Sequence, residues 1–266
     1  MRAPGESADA QDFNMKKRLD KLVLERELAP TRERAQALIL AGRVLVNEQK
    51  ITKSGTSVAE DAVLRVLGEE QRYVGRGGLK LERALEHWGI DLSGRTCLDV
   101  GASTGGFTDC MLQHGAARVI AVDTGYGQMD ARLRADPRVR LLEKTNARYL
   151  KGEDVGEAVS FVAVDVSFIS ATLVLPAVVE SCLAAAIGSA LEVVVLVKPQ
   201  FEAGREAVGK GGIVRDEAAQ MASVEKVRTA MAGLGFEKLE WIESPIRGAE
   251  GNREFLLHGR KHLAIS

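Results

Sequence analysis

The chain has 266 residues, of which 45% are hydrophobic and 27% are charged, and its formal net charge is −1. This composition predicts a globular protein with a substantial core, in one large domain or in a large and a small one. No apolar run approaches the roughly 20 residues that cross a bilayer, and residues 1–14 contain no apolar region. The sequence therefore predicts a cytoplasmic protein with neither a membrane span nor a signal peptide.

The cysteine and histidine residues predict neither disulfides nor a metal site. Cys97, Cys110 and Cys182 show no paired spacing, and the four histidines are scattered, with none near a pair of cysteines. We therefore expect reduced, mostly buried thiols and no obligate metal.

Basic residues are concentrated near the N-terminus. Residues 1–15 are polar and are expected to be a disordered extension. Residues 16–53 contain ten Lys or Arg and five Asp or Glu, a local net charge of +5, on a body that is otherwise mildly acidic. This distribution is typical of a protein that contacts a polyanion at one end. On charge alone, an ordinary solvated helical surface explains it equally well.

Residues 16–70 predict a small α+β domain. Five elements are expected in it, namely helices over Lys16–Leu28 and Arg34–Leu40 and strands over Arg43–Val46, Gln49–Thr52 and Ala62–Val66. Thr31 is a suitable N-cap for the second helix, and Asn47-Glu48 is the expected turn between the first two strands. A glycine-rich linker over residues 71–79 then leads into a further domain, 80–266.

The pattern of this second domain alternates strands with helices. After a helix that begins over Lys80–Trp88, buried strands are expected at Cys97–Val100, Val119–Asp123, Val139–Leu142, Phe161–Val166 and Val193–Val197. Such alternation predicts an α/β fold with a mostly parallel central sheet covered on both faces. The last two apolar segments, Phe236–Ile242 and Glu254–Leu257, predict a hairpin added to the edge of that sheet.

A glycine-rich turn follows the first of these strands. Its glycines, Gly101, Gly105 and Gly106, do not fit the G-x-G-x-x-G fingerprint of dinucleotide-binding proteins, and the turn lacks the lysine of a P-loop. What remains is the turn of nucleoside-binding methyltransferases, with Asp99 at the end of the strand and a helix expected from about Thr104.

Two polar residues at later strand ends are candidates for binding a nucleoside. Asp123 ends the second strand, where a carboxylate can accept hydrogen bonds from both ribose hydroxyls. Taken alone it is more simply a surface or capping residue, but the order of strand, glycine turn, helix, strand and acid favours the ribose contact. Asn146 could bond the adenine edge, and an unrelated structural role is equally compatible with the sequence.

Four charged residues form a candidate catalytic set. Asp165 and Lys198 each end a buried apolar strand, and in an open α/β sheet ligands bind beyond these strand ends. Such a set suits methylation of a ribose 2′-hydroxyl, which loses its proton as it attacks. We expect Lys198 to be the base, Asp165 to orient it, and Lys80 and Glu254 to position the reacting groups. A buried ion-pair network that only stabilises the sheet is an equal alternative.

The glycine-rich segment 204–216 is a candidate lid. It contains Gly209, Gly211 and Gly212 together with Arg205, Lys210 and Arg215, which could touch phosphates. A flexible loop without that function explains it as well.

These motifs together resemble a known family. The matching stretches are Arg18–Asp20, Ala41–Val44, Tyr73–Val74, Arg76–Leu81, Asp99–Phe107, Asp123–Gln128, Thr145–Arg148, Asp165–Ser170, Lys198–Glu202, Gly209–Asp216, Ser244–Ile246 and Gly251–Phe255. From Lys16 to about Arg260 the chain is similar to the hemolysin-A-type (TlyA-like) ribosomal RNA 2′-O-methyltransferases. A departure is Gly75, where the family often has serine, which predicts a looser connection between the domains.

The resemblance implies a fold, a cofactor and a substrate. It implies a ribosomal-protein-type RNA-binding domain followed by a Rossmann-like, FtsJ-type methyltransferase domain. S-adenosylmethionine is expected at the positions that match the family's cofactor motifs, Gly101, Ser103, Gly105 and Asp123. The family's catalytic tetrad falls on Lys80, Asp165, Lys198 and Glu254, and its substrates are cytidine 2′-hydroxyls of ribosomal RNA in ribosomal subunits.

Two other functions remain open from the sequence. One is a non-catalytic RNA-binding protein that assists ribosome assembly. The other is a membrane-active protein, as the hemolysin name implies, although the short N-terminal helices alternate charge and lack a wide apolar face.

Overall fold

The computed structural model of the chain describes residues 16–67, 72–183, 190–248 and 251–262. It divides into two compact units, Met1–Glu70 and Gln71–Ser266. The disorder expected of residues 1–15 lies outside the described residues.

The first unit is a small α+β domain. Its helices are α1 (Leu19–Glu25) and α2 (Arg32–Leu40), and its strands are β1 (Lys16–Arg18), β2 (Val44–Val46), β3 (Gln49–Ile51), β4 (Ser57–Ala59) and β5 (Leu64–Val66). The strands form an antiparallel sheet in the order β3-β2-β5 and an antiparallel pair β1-β4. Leu19, Val23, Ala35, Ile39 and Val44 are buried in the core between them.

The helix predicted over Lys16–Leu28 is wrong at both ends. Its first three residues are strand β1, which pairs with Ser57–Ala59, a segment in which no strand was predicted. The spacing of leucines shows which face of a segment is apolar, but it does not show pairing with a distant three-residue strand. Thr31 caps α2 as predicted, with its Oγ1 accepting a 3.2 Å hydrogen bond from the amide of Arg34.

The turn predicted at Asn47-Glu48 is confirmed. Both residues have positive φ, 47° and 64°, as a two-residue type I′ hairpin turn requires. The side chain of Asn47 also accepts a 2.9 Å hydrogen bond from the amide of Val63, which fixes the turn against the segment before β5.

The second unit is built on a seven-stranded sheet. Its strands are β6 (Thr96–Val100), β7 (Arg118–Val122), β8 (Val139–Leu142), β9 (Phe161–Val164), β10 (Ala190–Val197), β11 (Glu237–Glu243) and β12 (Phe255–His262). Its α-helices are α3 (Gly77–Trp88), α4 (Gly106–Gln113), α5 (Ala131–Ala135), α6 (Gly152–Val155), α7 (Ala171–Leu183), α8 (Pro199–Glu202) and α9 (Glu217–Gly233).

The strand order is β11-β12-β10-β9-β6-β7-β8. Strands β6 to β10 pair in parallel, β12 runs antiparallel to β10, and β11 pairs antiparallel with β12 at the edge. The mostly parallel sheet and the terminal hairpin at its edge are therefore confirmed. Chain order reverses between β6 and β9, and ligands of open α/β sheets bind at such a switch point.

The sheet separates two apolar clusters. Leu98 of β6 and Val162 of β9 belong to one cluster, whereas their neighbours Cys97 and Phe161 belong to the other. Because successive side chains of a strand point to opposite faces, both faces of the central strands are covered. The strands are apolar throughout for that reason, and polar side chains appear where they end.

Some boundaries differ from the predictions. Helix α3 begins at Gly77, inside the predicted linker, and α4 begins at Gly106 instead of Thr104. Strand β12 extends beyond the predicted segment to His262. Cys97, Cys110 and Cys182 are buried and free. In the described part of the chain, no helix is long and apolar enough to span a membrane.

Candidate active site

A cleft of about 500 Å³ lies beyond the carboxyl ends of β6, β9 and β10. Its lining includes the glycine turn after β6 and all four of the predicted catalytic residues, Lys80, Asp165, Lys198 and Glu254. The residues come from α3, from the ends of β9 and β10, and from the segment just before β12. The sheet topology thus brings together side chains that are far apart in the sequence.

Lys198 and Asp165 form the first ion pair of the cleft. The Lys198 Nζ lies 2.6 Å from Asp165 Oδ1, and the two side chains are only 11% and 20% exposed. The same Nζ donates a 2.8 Å hydrogen bond to Ser167 Oγ. Pro199 begins α8 directly after Lys198 and ends the strand ladder there. The ammonium is therefore held at the rim of the sheet, facing the cleft.

Lys80 and Glu254 form the second ion pair. Their Nζ and Oε2 atoms are 2.5 Å apart, and the side chains are 10% and 3% exposed. Removing one partner of such a buried pair leaves an uncompensated charge, so each side chain depends on the other.

Positive charge is in excess around the cleft. The lysines are matched by the two carboxylates, but Arg76 and Arg247 also line it, and both are exposed. Arg247 donates a 3.1 Å hydrogen bond to the carbonyl of Gly251. A concave surface with surplus guanidinium groups suits an anionic ligand such as a phosphodiester.

An exposed aromatic residue stands in the cleft. The side chain of Phe168 is 92% exposed, and its φ of 66° is unusual for a bulky residue. Its ring lies 5.3 Å from that of Phe201, which in turn lies 6.0 Å from Lys198 Nζ. Exposed aromatic faces next to cations are typical of sites at which bases stack.

The glycine turn approaches the end of β9 closely. Gly101, Ser103 and Gly105 all have positive φ, 90°, 48° and 97°. A Cβ on Gly101 would lie 2.5 Å from the carbonyl oxygen of Asp165, which leaves no room for a side chain. Glycine at this position allows the turn and the Asp165 strand end to line one cleft.

A second cavity of about 360 Å³ shares Gly101, Ser103, Asp165, Ser167 and Phe168 with the cleft. Its other lining residues are Val122, Asp123, Thr124, Gly125, Gln128, Thr145, Asn146, Ala147, Val166, Ile169 and Val174. The two spaces therefore adjoin at the glycine turn and at the loop after β9. The first is lined by both ion pairs, and the second has a mixed polar and apolar wall.

Asp123 and Asn146 both line this second cavity. Asp123 accepts hydrogen bonds of 2.7 Å and 2.6 Å from the amides of Ser103 and Gly125. Asn146 Oδ1 accepts a 3.0 Å bond from the amide of Arg148, which caps a short 3-10 helix. Asp123 thus fixes the glycine turn to β7, and Asn146 has a structural role beside any contact with a ligand.

Of the predicted cofactor residues, Gly105 lines neither cavity, and neither does Asp99. Asp99 is completely buried; its Oδ2 accepts a 2.6 Å bond from Thr108, and among the described residues its Oδ1 has no hydrogen-bond partner. Burial raises the pKa of Asp99 to about 7, although the bond from Thr108 opposes the rise and the nearby Asp165 adds to it. The Asp99–Thr108 bond therefore joins β6 to α4, the two elements that the glycine turn connects.

The candidate lid is fastened to the segment that carries Glu254. Asn252 is buried; its Oδ1 accepts a 3.0 Å bond from the amide of Val214, and its Nδ2 donates a 2.9 Å bond to the carbonyl of Gly212. Gly212 lines the cleft. The segment 209–214 is thus an ordered wall of the cleft in this structure.

Sequence reasoning gave no role to Ser167, Phe168 or Glu202. Ser167 and Phe168 lie in a loop whose contacts depend on the pairing of β9 with β10, so no local pattern identifies them. Glu202 occupies a four-residue helix and is buried. Its burial is not evident from the sequence, because a carboxylate in so short a helix is expected to be exposed. Among the described residues, no group of His, Cys, Asp and Glu is arranged to hold a metal ion.

The first unit carries a charged cluster around Asp20. This buried carboxylate accepts hydrogen bonds of 3.0 Å from Arg18, Arg32 and Gln36. The bond from Arg18 and the other donors outweigh the effect of burial and hold the pKa of Asp20 well below its usual range. Asp20 therefore stays ionised and orders two of the basic side chains that the sequence placed in this unit.

The sheet order, the glycine turn at the switch point and the polar strand ends define a methyltransferase-type α/β fold. Residues 73–261 match the FtsJ-like methyltransferase family, and residues 17–64 match the S4 domain. The chain therefore belongs to the FtsJ-like methyltransferases and carries an N-terminal S4 domain. The fold class and the family resemblance predicted from the sequence are confirmed.

Several relatives match most of the chain. TlyA of Mycobacterium tuberculosis, named a 16S/23S rRNA (cytidine-2′-O)-methyltransferase, is 44% identical over 90% of this chain and 88% of its own. Hemolysin A of Brachyspira hyodysenteriae is 40% identical over 91% and 98%. A solved hemolysin-named structure from Streptococcus thermophilus aligns with a TM-score of 0.70 at 43% identity, covering 93% of this chain and 89% of that one.

Proposed function

We propose that this protein transfers a methyl group from S-adenosylmethionine to a ribose 2′-hydroxyl of a cytidine in ribosomal RNA. The observation that carries the proposal is the Lys198–Asp165 ion pair, which lines the same cleft as the glycine turn and the Lys80–Glu254 pair. The activity named for the relatives supports ribosomal RNA as the substrate and cytidine as the nucleotide. A ribosomal substrate would place the protein in the cytoplasm.

The residues around the glycine turn fit the cofactor. Gly101 and Ser103 would let the nucleoside approach the backbone, and Asp123, at the end of β7, would accept hydrogen bonds from the ribose. Gly105 would act through the shape of the turn, because a Cβ there would lie 2.3 Å from the side chain of Leu133. Asn146 would meet the adenine edge within the second cavity. When bound, S-adenosylmethionine supplies an electrophilic methyl group on a sulfonium. Asp99 would act through the shape of the turn, since it lines neither cavity.

Lys198 would accept the proton that the ribose hydroxyl loses. A general base must be unprotonated and within hydrogen-bond reach of that proton, so Lys198 would act as the neutral amine, and its Nζ faces the cleft. Asp165 and Ser167 hold this nitrogen from the side of β9 at 2.6 Å and 2.8 Å. With its position fixed by two partners, the amine needs little rearrangement when the hydroxyl arrives.

Lys80 and Glu254 would position the target nucleotide. They approach the cleft from α3 and from the segment before β12, and their ion pair keeps both charged groups in place in a largely buried setting. A carboxylate there can accept a hydrogen bond from a ribose hydroxyl, and an ammonium can face a phosphate oxygen.

RNA would be held by charge and by stacking. Arg76 and Arg247 give the cleft its surplus of positive charge, and Phe168 offers an exposed ring for a nucleobase. We assign residues 16–70 to the S4 domain, residues 71–79 to the linker and residues 80–266 to the catalytic domain. The S4 domain supplies a second basic surface. Binding to RNA should therefore weaken steeply with salt.

The test is transfer of tritium from labelled S-adenosylmethionine to ribosomal subunits. Wild type should label ribosomal RNA, and Lys198→Ala should lower kcat by about a thousandfold or more while RNA affinity changes little. Lys151→Ala removes a lysine that is 71% exposed and serves as the matched control, with activity unchanged. Full turnover by Lys198→Ala would remove Lys198 as the base. RNA binding by wild type without any transfer would instead favour a non-catalytic RNA-binding protein.

A further inference from the structure

We propose that Glu202 is a positioning residue that holds the Lys198–Asp165 pair in its reactive arrangement. The inference rests on the proposed function, because it assigns a role within the same site. Glu202 does not line the cleft. It would act by fixing the two chain segments that carry Asp165 and Lys198.

Glu202 connects the segment that carries Lys198 to the far end of the loop that begins at Asp165. It lies in α8, one turn after Lys198, and its side chain is only 2% exposed. Its Oε2 accepts a 2.5 Å hydrogen bond from Ser170 Oγ, and its Oε1 accepts a 2.6 Å bond from the amide of Ala171. Ser170 and Ala171 end the loop that begins at Asp165 and start helix α7.

The Asp165 loop is therefore attached to the Lys198 segment at both ends. At its beginning, the Lys198 ammonium contacts Asp165 and Ser167. At its end, the Glu202 carboxylate holds Ser170 and Ala171. Between these attachments lies Phe168, whose positive φ costs conformational energy and persists only where the surroundings fix it. Without the second attachment, the loop would be free to relax and carry Asp165 away from Lys198.

A third element supplies the countercharge. Lys226 of α9 lies 3.2 Å from Glu202 Oε2 and donates a 2.8 Å hydrogen bond to the Glu202 carbonyl oxygen. Each carboxylate oxygen of Glu202 thus has a hydrogen-bond donor, and its negative charge has a nearby cation. A carboxylate so satisfied can remain buried and charged.

A plain structural role as a helix cap does not account for this arrangement. The start of α7 already has a local hydroxyl acceptor, because Ser170 Oγ accepts a 3.3 Å hydrogen bond from the amide of Thr172. The additional acceptor comes from the short helix that follows the proposed base, not from a neighbouring residue in the chain. The connection therefore couples the ends of β9 and β10, the two strands that deliver Asp165 and Lys198.

The experiment compares Glu202→Gln with Glu192→Gln. Glu192 is a suitable control because its side chain is also buried, 4% exposed, and it bonds to Arg95, His258 and Arg260 at the opposite end of β10. Both substitutions preserve size and remove one buried charge. The readouts are kcat, the KM values for S-adenosylmethionine and for RNA, the dependence of kcat on pH, and hydrogen exchange of residues 165–171.

We expect Glu202→Gln to lower kcat by about tenfold to a hundredfold, as small misplacements of reacting groups do, with both KM values within about threefold of wild type. Its pH–rate profile should move, and exchange over residues 165–171 should become faster. Glu192→Gln should lose thermal stability but, assayed well below its Tm, keep kcat, the pH profile and the exchange of that loop.

Unchanged kcat and unchanged exchange in Glu202→Gln would overturn the proposal, as would an equal loss of kcat in Glu192→Gln. If Glu202→Gln does not fold, Ser170→Ala removes one of its bonds and keeps the carboxylate, and a loss of about threefold in kcat with faster loop exchange is expected.

Hydrogen exchange needs no turnover, so it tests the role of Glu202 separately from the proposed function. If wild type transferred no methyl group, the proposed function would fail, and the exchange comparison would still decide whether Glu202 fixes the loop.

Discussion

Lys80 and Glu254 are separated by 174 residues in the chain, yet their charged atoms are 2.5 Å apart. Because both side chains are nearly buried, loss of either partner should cost about 3–5 kcal/mol of unfolding free energy. The double variant Lys80→Met with Glu254→Gln leaves no unpaired buried charge at this position, so its loss of unfolding free energy should be markedly smaller than the sum of the losses in the two single variants.

Urea denaturation of wild type, the two single variants and the double variant measures this coupling. Methyl transfer should be low in all three variants. The double variant regains stability, but it lacks both the Lys80 ammonium and the Glu254 carboxylate that would position the nucleotide. Strictly additive losses of stability would show that the two residues do not interact in solution.

Gly101→Ala should disable cofactor binding. The added Cβ would meet the carbonyl oxygen of Asp165 at 2.5 Å, and the φ of 90° is itself unfavourable for alanine. Gly94→Ala separates the two effects, since Gly94 has a φ of 72° and open space around its Cβ position. We expect Gly94→Ala to cost only about 1 kcal/mol and to bind S-adenosylmethionine normally, whereas Gly101→Ala loses most of its affinity in calorimetry. An equal loss of S-adenosylmethionine affinity in Gly101→Ala and Gly94→Ala would show that the clash with the Asp165 carbonyl is not the cause.

Asp99→Asn should change how stability depends on pH. Burial raises the pKa of Asp99 in the folded protein from 3.8 to about 7, so between these values the folded state holds a proton that the unfolded chain has lost. Its contribution to stability is therefore fully present below about pH 4 and is lost as pH rises to about 7. The unfolding free energy of wild type, relative to that of Asp99→Asn, should fall by roughly 2–4 kcal/mol across this range.

Chemical denaturation at several pH values gives this difference directly. Thr108→Val removes the hydrogen bond that lowers the pKa of Asp99, so it should extend the loss of stability to higher pH. A pH-independent difference between wild type and Asp99→Asn would show that Asp99 has an ordinary pKa.

Asn252→Ala should loosen the wall of the cleft formed by residues 209–214. Its side chain makes the bonds to Val214 and Gly212 that fasten this segment. We expect faster trypsin cleavage at the exposed residues Arg205, Lys210 and Arg215, together with a fall in kcat of about tenfold. Ser244→Ala, which removes a single bond to the carbonyl of Ile246 from the same region, should leave the cleavage rate unchanged. Unaltered cleavage in Asn252→Ala would mean that other contacts hold the segment.

The sequence was most informative where a signal is local. The strand, glycine turn and helix around Gly101 follow from apolar runs and glycine spacing, and Asp165 and Lys198 stand out because charged residues end buried strands. Contacts that depend on long-range pairing were not accessible in this way. Strand β1 requires Ser57–Ala59 as its partner, and Glu202 meets Ser170 only when β9 and β10 lie side by side.

Asp99 shows a different limit. A carboxylate at the end of a strand before a glycine turn has the same sequence signature whether it faces the ligand or the core. Only its complete burial and its bond to Thr108 distinguish the two. Asn146 is a similar case, because its capping bond to Arg148 does not exclude a ligand contact.

The antiparallel placement of β12 beside β10 also has a consequence for biosynthesis. The S4 domain, the glycine turn and Lys198 all precede Glu254, which enters the site only with the last strand. Since domains fold from the N-terminus onward during synthesis, the S4 domain would fold before Glu254 joins the site, and under the proposed function RNA binding would precede the capacity for methyl transfer. Under the proposed function, a chain truncated before Glu254 would thus be an inert competitor for the same RNA.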